Sequence, residues 1–333
     1  MTMNRSLPPL RADHLTRRLT GPHGLYEHAL FDRPRRRLGY TTDDNARALV
    51  VLSSGFPEVD IGLYLDYVVR GRVPGGWHNR MTRLGRWADV RGSDDAHGRA
   101  IWGLGCALHG PRADKARPSL ISGLDLDSRH ARANAYAILG ATAALETDRD
   151  LPGVQGFLRR AGSRLPRATA NGWGWPEPRL SYDNARIPQA LIAAGLGLGD
   201  HSMIDDGLRF LDWLIHAEEA GAGFSFTPVA GRKPGWHGPG FDQQPIEAWG
   251  MADACLLAIA VDGDSRWARA LEAAALWVLG RNDVGAALYD VNTGAGFDGL
   301  EPNGVNQNRG AESTLATLGA LVALRTHLGS GVR

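Results

Sequence analysis

The chain has 333 residues, 43% of them hydrophobic and 22% charged, with a formal net charge of +1. That is apolar material for a large core, with too little net charge for a disordered chain. Basic residues are scattered, Arg35 to Arg37 being the one tight run, so no nucleic-acid partner and no membrane-attracting patch is expected.

Cys106 and Cys255 sit in apolar helical stretches, where a free thiol behaves as a small hydrophobe, and no disulfide framework is implied. The first twenty residues lack a continuous apolar segment, and no later stretch offers about 18 uninterrupted apolar positions. The expectation is a soluble, cytoplasmic protein. Arginine stands for lysine nearly everywhere, Lys115 and Lys233 being the lysines, as in a GC-rich bacterial genome.

In chain order, an amphipathic helix near 12–20 precedes a polar cluster, Thr41-Thr42-Asp43-Asp44-Asn45-Ala46-Arg47, that opens a small-residue apolar helix. The pattern then recurs. Helix 59–70 precedes Ser93-Asp94-Asp95-Ala96-His97-Gly98-Arg99, and helix 113–123 precedes Asp127-Ser128-Arg129-His130-Ala131-Arg132. Helix 152–164 precedes Ser181-Tyr182-Asp183-Asn184-Ala185-Arg186, and helix 203–219 precedes Asp242-Gln243-Gln244-Pro245-Ile246-Glu247. Helix 264–280 precedes Asn306-Gln307-Asn308-Arg309-Gly310-Ala311-Glu312.

Six helices that keep a polar face alternate with six rich in Ala, Gly and Leu, which suit burial on all sides. The fold class read from this order is all-α: an (α/α)6 toroid over 1–333, a single catalytic domain with short β pieces in its rim loops. If every outer helix enters an inner one on the same rim, the six clusters converge there. Gly103-Leu104-Gly105 reads as close helix packing.

The loops feeding the inner helices pair glycine with aromatics: Gly76-Trp77-His78, Trp173-Gly174-Trp175, Gly223-Phe224, Gly235-Trp236-His237 and Gly296-Phe297-Asp298-Gly299. Aromatic plates on tight loops suit the C–H face of a sugar, or plug the ring.

Asp44 and Arg47, Asp95 and Arg99, and Asp183 and Arg186 lie three or four residues apart, so each pair shares a helix face. An acid beside an arginine is expected to stay ionised with a lowered pKa, which suits a clamp or a general base. The proton donor then falls to a carboxyl with fewer cationic neighbours, Glu247 or Glu312. Ordinary N-capping accounts for one acid of each pair, Asp43 or Asp44 and Asp94 or Asp95. It does not account for the second acid with a nearby arginine and His97.

Zinc-ligand spacing, a phosphate loop and a Gly-x-Ser-x-Gly elbow are all absent from the sequence, so neither metal nor cofactor is implied. His78, His97 and Tyr182 are the candidate bases if the chemistry is instead a lyase or epimerase proton abstraction.

At its six clusters the sequence resembles the six-hairpin, (α/α)6-toroid glycosidase superfamily of sugar hydrolases, lyases and 2-epimerases. More narrowly, the stretches at 39–49, 241–248 and 306–314 resemble a bacterial group often labelled glycosyltransferase, a label that points to a neighbouring or fused transferase as partner. The resemblance, over about 25–325, implies a cleft at one end of the ring with Asp44, Asp95, Asp183, Glu247 and Glu312 near the reacting sugar. The expected activity is glycoside hydrolysis by a carboxylic acid and a carboxylate, with inversion; the alternatives are a lyase or epimerase on the same ring, or a non-catalytic glycan-binding module. Around these acids the expected carbohydrate contacts are Arg47, Trp77, His78, His97, Arg99, Trp173, Trp175, Tyr182, Asn184, Arg186, Trp236, His237, Asp242, Gln243, Gln244, Asn306 and Asn308.

Overall fold

The computed structural model describes residues 7–169, 172–221, 223–236 and 238–330. A π-helical segment, His14–Leu19, leads into α1 (Thr42–Gly55). Thereafter α2 (Gly62–Arg70) leads into α3 (Asp94–Ala107), and α4 (Ala113–Gly123) into α5 (Ala131–Thr147). Next, α6 (Val154–Gly162) leads into α7 (Arg186–Leu198), and α8 (His201–Glu218) into α9 (Pro245–Asp262). Finally α10 (Ser265–Trp277) leads into α11 (Ala311–Ser330).

The odd-numbered helices close a ring: α1 packs on α3, α3 on α5, and so on to α11, which returns to α1. Each even-numbered helix packs on the inner helix that precedes it in the chain, and most also touch the one that follows. This is the alternation expected from the sequence, with boundaries displaced by a few residues. Strands among the described residues are two-residue antiparallel pairs in the connections, such as Tyr40–Thr41 with Arg80–Met81. No helix among the described residues is long and apolar enough to cross a membrane. Cys255 is buried and Cys106 half-buried, both as free thiols.

The inner helices come close because glycines face neighbouring backbones. A Cβ on Gly103 would lie 2.7 Å from the carbonyl oxygen of Ala46, and one on Gly140 would lie 2.5 Å from Cα of Trp102. Gly105 meets the backbone of Gly140 in the same way. Larger residues here would push the ring open, which explains why these helices are rich in small side chains.

Across the ring, Trp102 of α3 and Trp249 of α9 stack at 5.3 Å between centroids, and Trp102 also stacks on Tyr136 of α5 at 5.9 Å. The guanidinium of Arg186 lies over both indoles, 4.6 and 4.5 Å from their centroids. These rings plug the axis and leave a hollow above them, at the end where the inner helices begin.

Gly140→Ala is therefore expected to destabilise the fold by about 1–3 kcal/mol through overpacking, read as a lower midpoint in thermal or urea unfolding. An unchanged midpoint would show that α3 and α5 are farther apart than described.

Candidate active site

Thr41 and Ser93 cap α1 and α3: their hydroxyls accept from the backbone N–H groups of Asp44 and Ala96, each at 3.2 Å. Capping thus accounts for neither member of the Asp43-Asp44 or Asp94-Asp95 pairs, contrary to the expectation that it would claim one of each. All four aspartates line a cavity of about 670 Å³ at the N-terminal ends of the inner helices. Asp242, from the connection into α9, and Glu312, in the first turn of α11, line it too. Arg47, Arg99, Tyr182, Gln244 and Asn306 complete the set of expected residues that the cavity gathers.

The arginines are shared between helices. Arg47 bonds Asp44 Oδ1 at 2.9 Å and reaches Glu312 Oε2 at 2.5 Å. Arg99 bonds Asp43 Oδ1 at 2.8 Å and lies 3.9 Å from Asp95 Oδ2, while its other arm donates to the Tyr136 hydroxyl at 2.9 Å. Tyr136 donates in turn to Asp183 Oδ2 at 2.7 Å, and Asp183 Oδ1 is 3.2 Å from Arg186. Arg186 also bonds Asp253 of α9 at 2.7 Å. Both arginines on the cavity are thereby neutralised by carboxylates.

Burial splits the carboxyls. For Asp43 it would raise the pKa, but Arg99 and Arg47 outweigh it and hold the group below the usual range. Asp44, expected to be low beside Arg47, is instead pushed up to about 7, because burial outweighs the arginine and the charges of Glu312 and Asp43 add to it. Asp242 has no cation among its influences; burial, then Glu301 and Asp298, push it up to about 6. Its Oδ1 is buried without a hydrogen-bond partner.

Several expected site residues lie elsewhere. Asp183, with a left-handed backbone (φ 46°), is buried beneath the cavity. Glu247 is buried beside it, accepting from the N–H groups of Asp183 and Asn184, the latter at 3.1 Å. Burial first, then the charges of Glu218 and Asp183, push Glu247 up to about 8. Asn184 joins this layer through its Oδ1, which accepts from Ser181 N and Arg132 Nη2, and Arg186 is wholly buried.

Trp77 and Trp175 are core plugs rather than sugar platforms: Trp77 donates to Val68 O at 2.9 Å, and Trp175 stacks on Trp213. Trp173 is half-buried against the same Trp213. His97 is fully buried under Gly76, and burial followed by the charge of Arg91 depresses it to about 4, so it does not serve as a proton shuttle at neutral pH. His78 stacks on Trp87, off the cavity. Gln243 is a buried brace bonded to Asp283 at 2.6 Å, and Asn308 accepts from Phe31 N. Trp236 is exposed outside the cavity, and His237 lies outside the described residues.

Glu27, His28, Asp43, Asp94, His130 and Asp298 also line the cavity, beyond the residues expected to act there. Asp43, Asp94 and His130 belong to the polar clusters and Asp298 to a Gly-aromatic loop, so those signals were present. Glu27 and His28 arrive from an N-terminal segment that has no pattern. Among the described residues no group of three or more His, Cys, Asp or Glu side chains is arranged to hold a metal ion.

No protein-family model matches the chain, and no curated protein matches it. Solved structures share its fold. A D-mannose isomerase superposes with a TM-score of 0.70 at 13% identity, covering 94% of this chain and 94% of that one. The cellobiose 2-epimerase of Bacillus thermoamylovorans gives 0.70 at 10% identity, with 94% of both chains covered. An alpha-1,6-mannanase of Salegentibacter, described as an inactive variant with two adjacent aspartates changed to asparagine and in complex with alpha-1,6-mannotriose, gives 0.60 at 13%, covering 94% and 96%. The fold of this chain is thus that of the (α/α)6-toroid glycosidases and epimerases.

Asp44, Asp242 and Glu247 each hold a proton in the folded chain at pH values where the unfolded chain has released it. Their contribution to stability is full below the ordinary carboxyl range and is lost as pH rises toward about 8. His97 acts oppositely, lowering stability as pH falls from 6.5 toward about 4. Above pH 6.5 the remaining His97 change is small beside that of the three acids. The thermal midpoint should therefore fall as pH rises from about 6.5 to about 8.5, and a flat or rising profile would contradict the burial of these acids.

Proposed function

We propose that the chain is a glycoside hydrolase in which Asp242 protonates the leaving glycosidic oxygen and Asp95 activates water. One observation carries the reading. In the ring order α3 and α9 stand opposite each other, and Asp95, in the first turn of α3, and Asp242, on the approach to α9, line the same sugar-sized hollow.

The two environments differ as an acid and a base require. Asp242, pushed up to about 6, is protonated in a far larger share of molecules near neutrality than an ordinary carboxyl and can still release that proton. Asp95 accepts from Tyr182 through Oδ2 at 2.6 Å and has Arg99 nearby, while its Oδ1 carries no hydrogen bond from a described residue. Asp242 gives its proton to the leaving oxygen as the C1–O bond breaks and its electron pair moves to that oxygen. Water adds to C1 and passes a proton to Asp95. Inversion by this route requires the two carboxyls to stand about 6.5 to 9.5 Å apart, which leaves room for that water. Arg47 and Arg99, tied to acids already, hold Asp44, Glu312 and Asp43 in place around the sugar.

The glycan-bound mannanase with the same ring supports a role for a paired aspartate such as Asp95: its variant described as inactive has lost two adjacent aspartates, and the cavity here holds two such pairs. A second reading, an isomerase or epimerase, is favoured by His28 and His130 on the cavity and by the sugar isomerases and epimerases that share the fold.

A screen on aryl glycosides and on plant and bacterial glycans tests the reading, with products resolved from C2 epimers. Asp95→Asn and Asp242→Asn should each lower turnover at least about 100-fold with circular dichroism unchanged. Asp183→Asn should act mainly on stability, since it breaks a buried network. Near-normal rates in both of the first two variants would overturn the assignment.

A further inference from the structure

Directly after the cavity-lining residues Glu27 and His28 comes a short hairpin, Ala29–Leu30 paired with Arg33–Pro34, whose tip is Phe31-Asp32. Phe31 has φ 53°, the left-handed region, at the first central position of a two-residue turn. That position is normally glycine's, because a bulky side chain there is strained. The ring gains no burial in return: Phe31 is 59% exposed, and Leu30 beside it 57%.

The surroundings hold the turn in this form. Asn308 Oδ1 accepts from Phe31 N at 3.0 Å, and Phe31 O accepts from Arg309 N at 2.9 Å. Glu27 O accepts from Ala311 N at 3.0 Å, so the root of the hairpin is fastened to the same segment. Both strips line the cavity, the first through Glu27 and His28 and the second through Asn306 and Gly310. The strained aromatic is therefore a fixed part of the rim.

We infer that Phe31 is a stacking platform for a sugar unit beyond the reacting one, so that the protein binds extended glycan chains across this rim. Strain that persists at an exposed residue points to a role outside folding. A flat apolar plate held in water beside a polar cavity suits the C–H face of a pyranose, and the exposed Gln307 nearby offers partners for its hydroxyls. Asn308, expected from sequence to touch carbohydrate, acts one step back by holding this turn.

The inference rests on the glycan-hydrolase reading, and the test separates the two. On whichever glycan the screen identifies, kcat/KM is measured for chains of two and of six units with wild type, Phe31→Gly and Phe31→Trp. The ratio of long to short should fall about tenfold in Phe31→Gly and be restored in Phe31→Trp. The thermal midpoint of Phe31→Gly should equal or exceed that of wild type, because glycine relaxes the turn. An unchanged ratio, or a lower midpoint, overturns the platform while leaving the hydrolase standing. A wild type that cleaves no glycan, and is not retarded in native gels cast with soluble laminarin, galactomannan or hydroxyethyl cellulose, overturns both.

Discussion

Arginines buried between inner helices fix everything else in this molecule. Arg47 ties α1 to α11 through Glu312, Arg99 ties α3 to α1 through Asp43 and to α5 through Tyr136, and Arg186 ties α7 to α9 through Asp253. Tyr136 and Asp183 link α5 to the start of α7. Between α9 and α11 the contact is apolar instead, Trp249 lying against Gly319. A buried charge stripped of its partner costs about 3–5 kcal/mol, so each link constrains the angular setting of its helices firmly. The helices themselves, rich in alanine and glycine, could otherwise slide past one another.

The same belt sets the chemistry. Because the arginines on the cavity are occupied by carboxylates, the hollow has protons and acceptors to offer rather than a free cation for an acidic sugar. Its acids are sorted by depth and by partner: Asp43 held ionised, Asp44 and Asp242 protonated more readily, Asp95 anchored by one oxygen. The fold is shared by hydrolases and epimerases alike, so the ring alone does not choose a reaction; the residues at its rim do.

Much of this was legible in the sequence because the repeat is strong. Six polar clusters, each opening a helix of small residues, gave the ring, the shared rim and most of the acids on it. What the clusters do not encode is depth. Asp183 and Glu247 belong to the same pattern as Asp44 and Asp95, yet α7 starts three residues after Asp183, the left-handed turn there lies in the layer below, and its backbone N–H groups hold Glu247 in that layer too. The sixfold pattern also hid Asp242 as the proposed proton donor, since its lack of a cationic partner is a property of the folded neighbourhood. Trp77 and Trp175 carry the Gly-Trp signature of a platform but fill the gaps that a wide ring leaves between its layers. The spacing of Asp44 to Arg47 does place the two in an ion pair, and burial reverses its effect on the Asp44 pKa. Phe31 had no signal, because a positive φ is visible only in three dimensions.

If Asp242 and Asp95 act from opposite sides of the sugar, water must enter on the face away from the departing group. Proton NMR of the anomer released in the first minutes of hydrolysis, before mutarotation, reads this directly. The account predicts a product whose anomeric configuration is the reverse of the bond that was cut. A retained anomer, or a sugar altered at C2 with no bond cleaved, would contradict it.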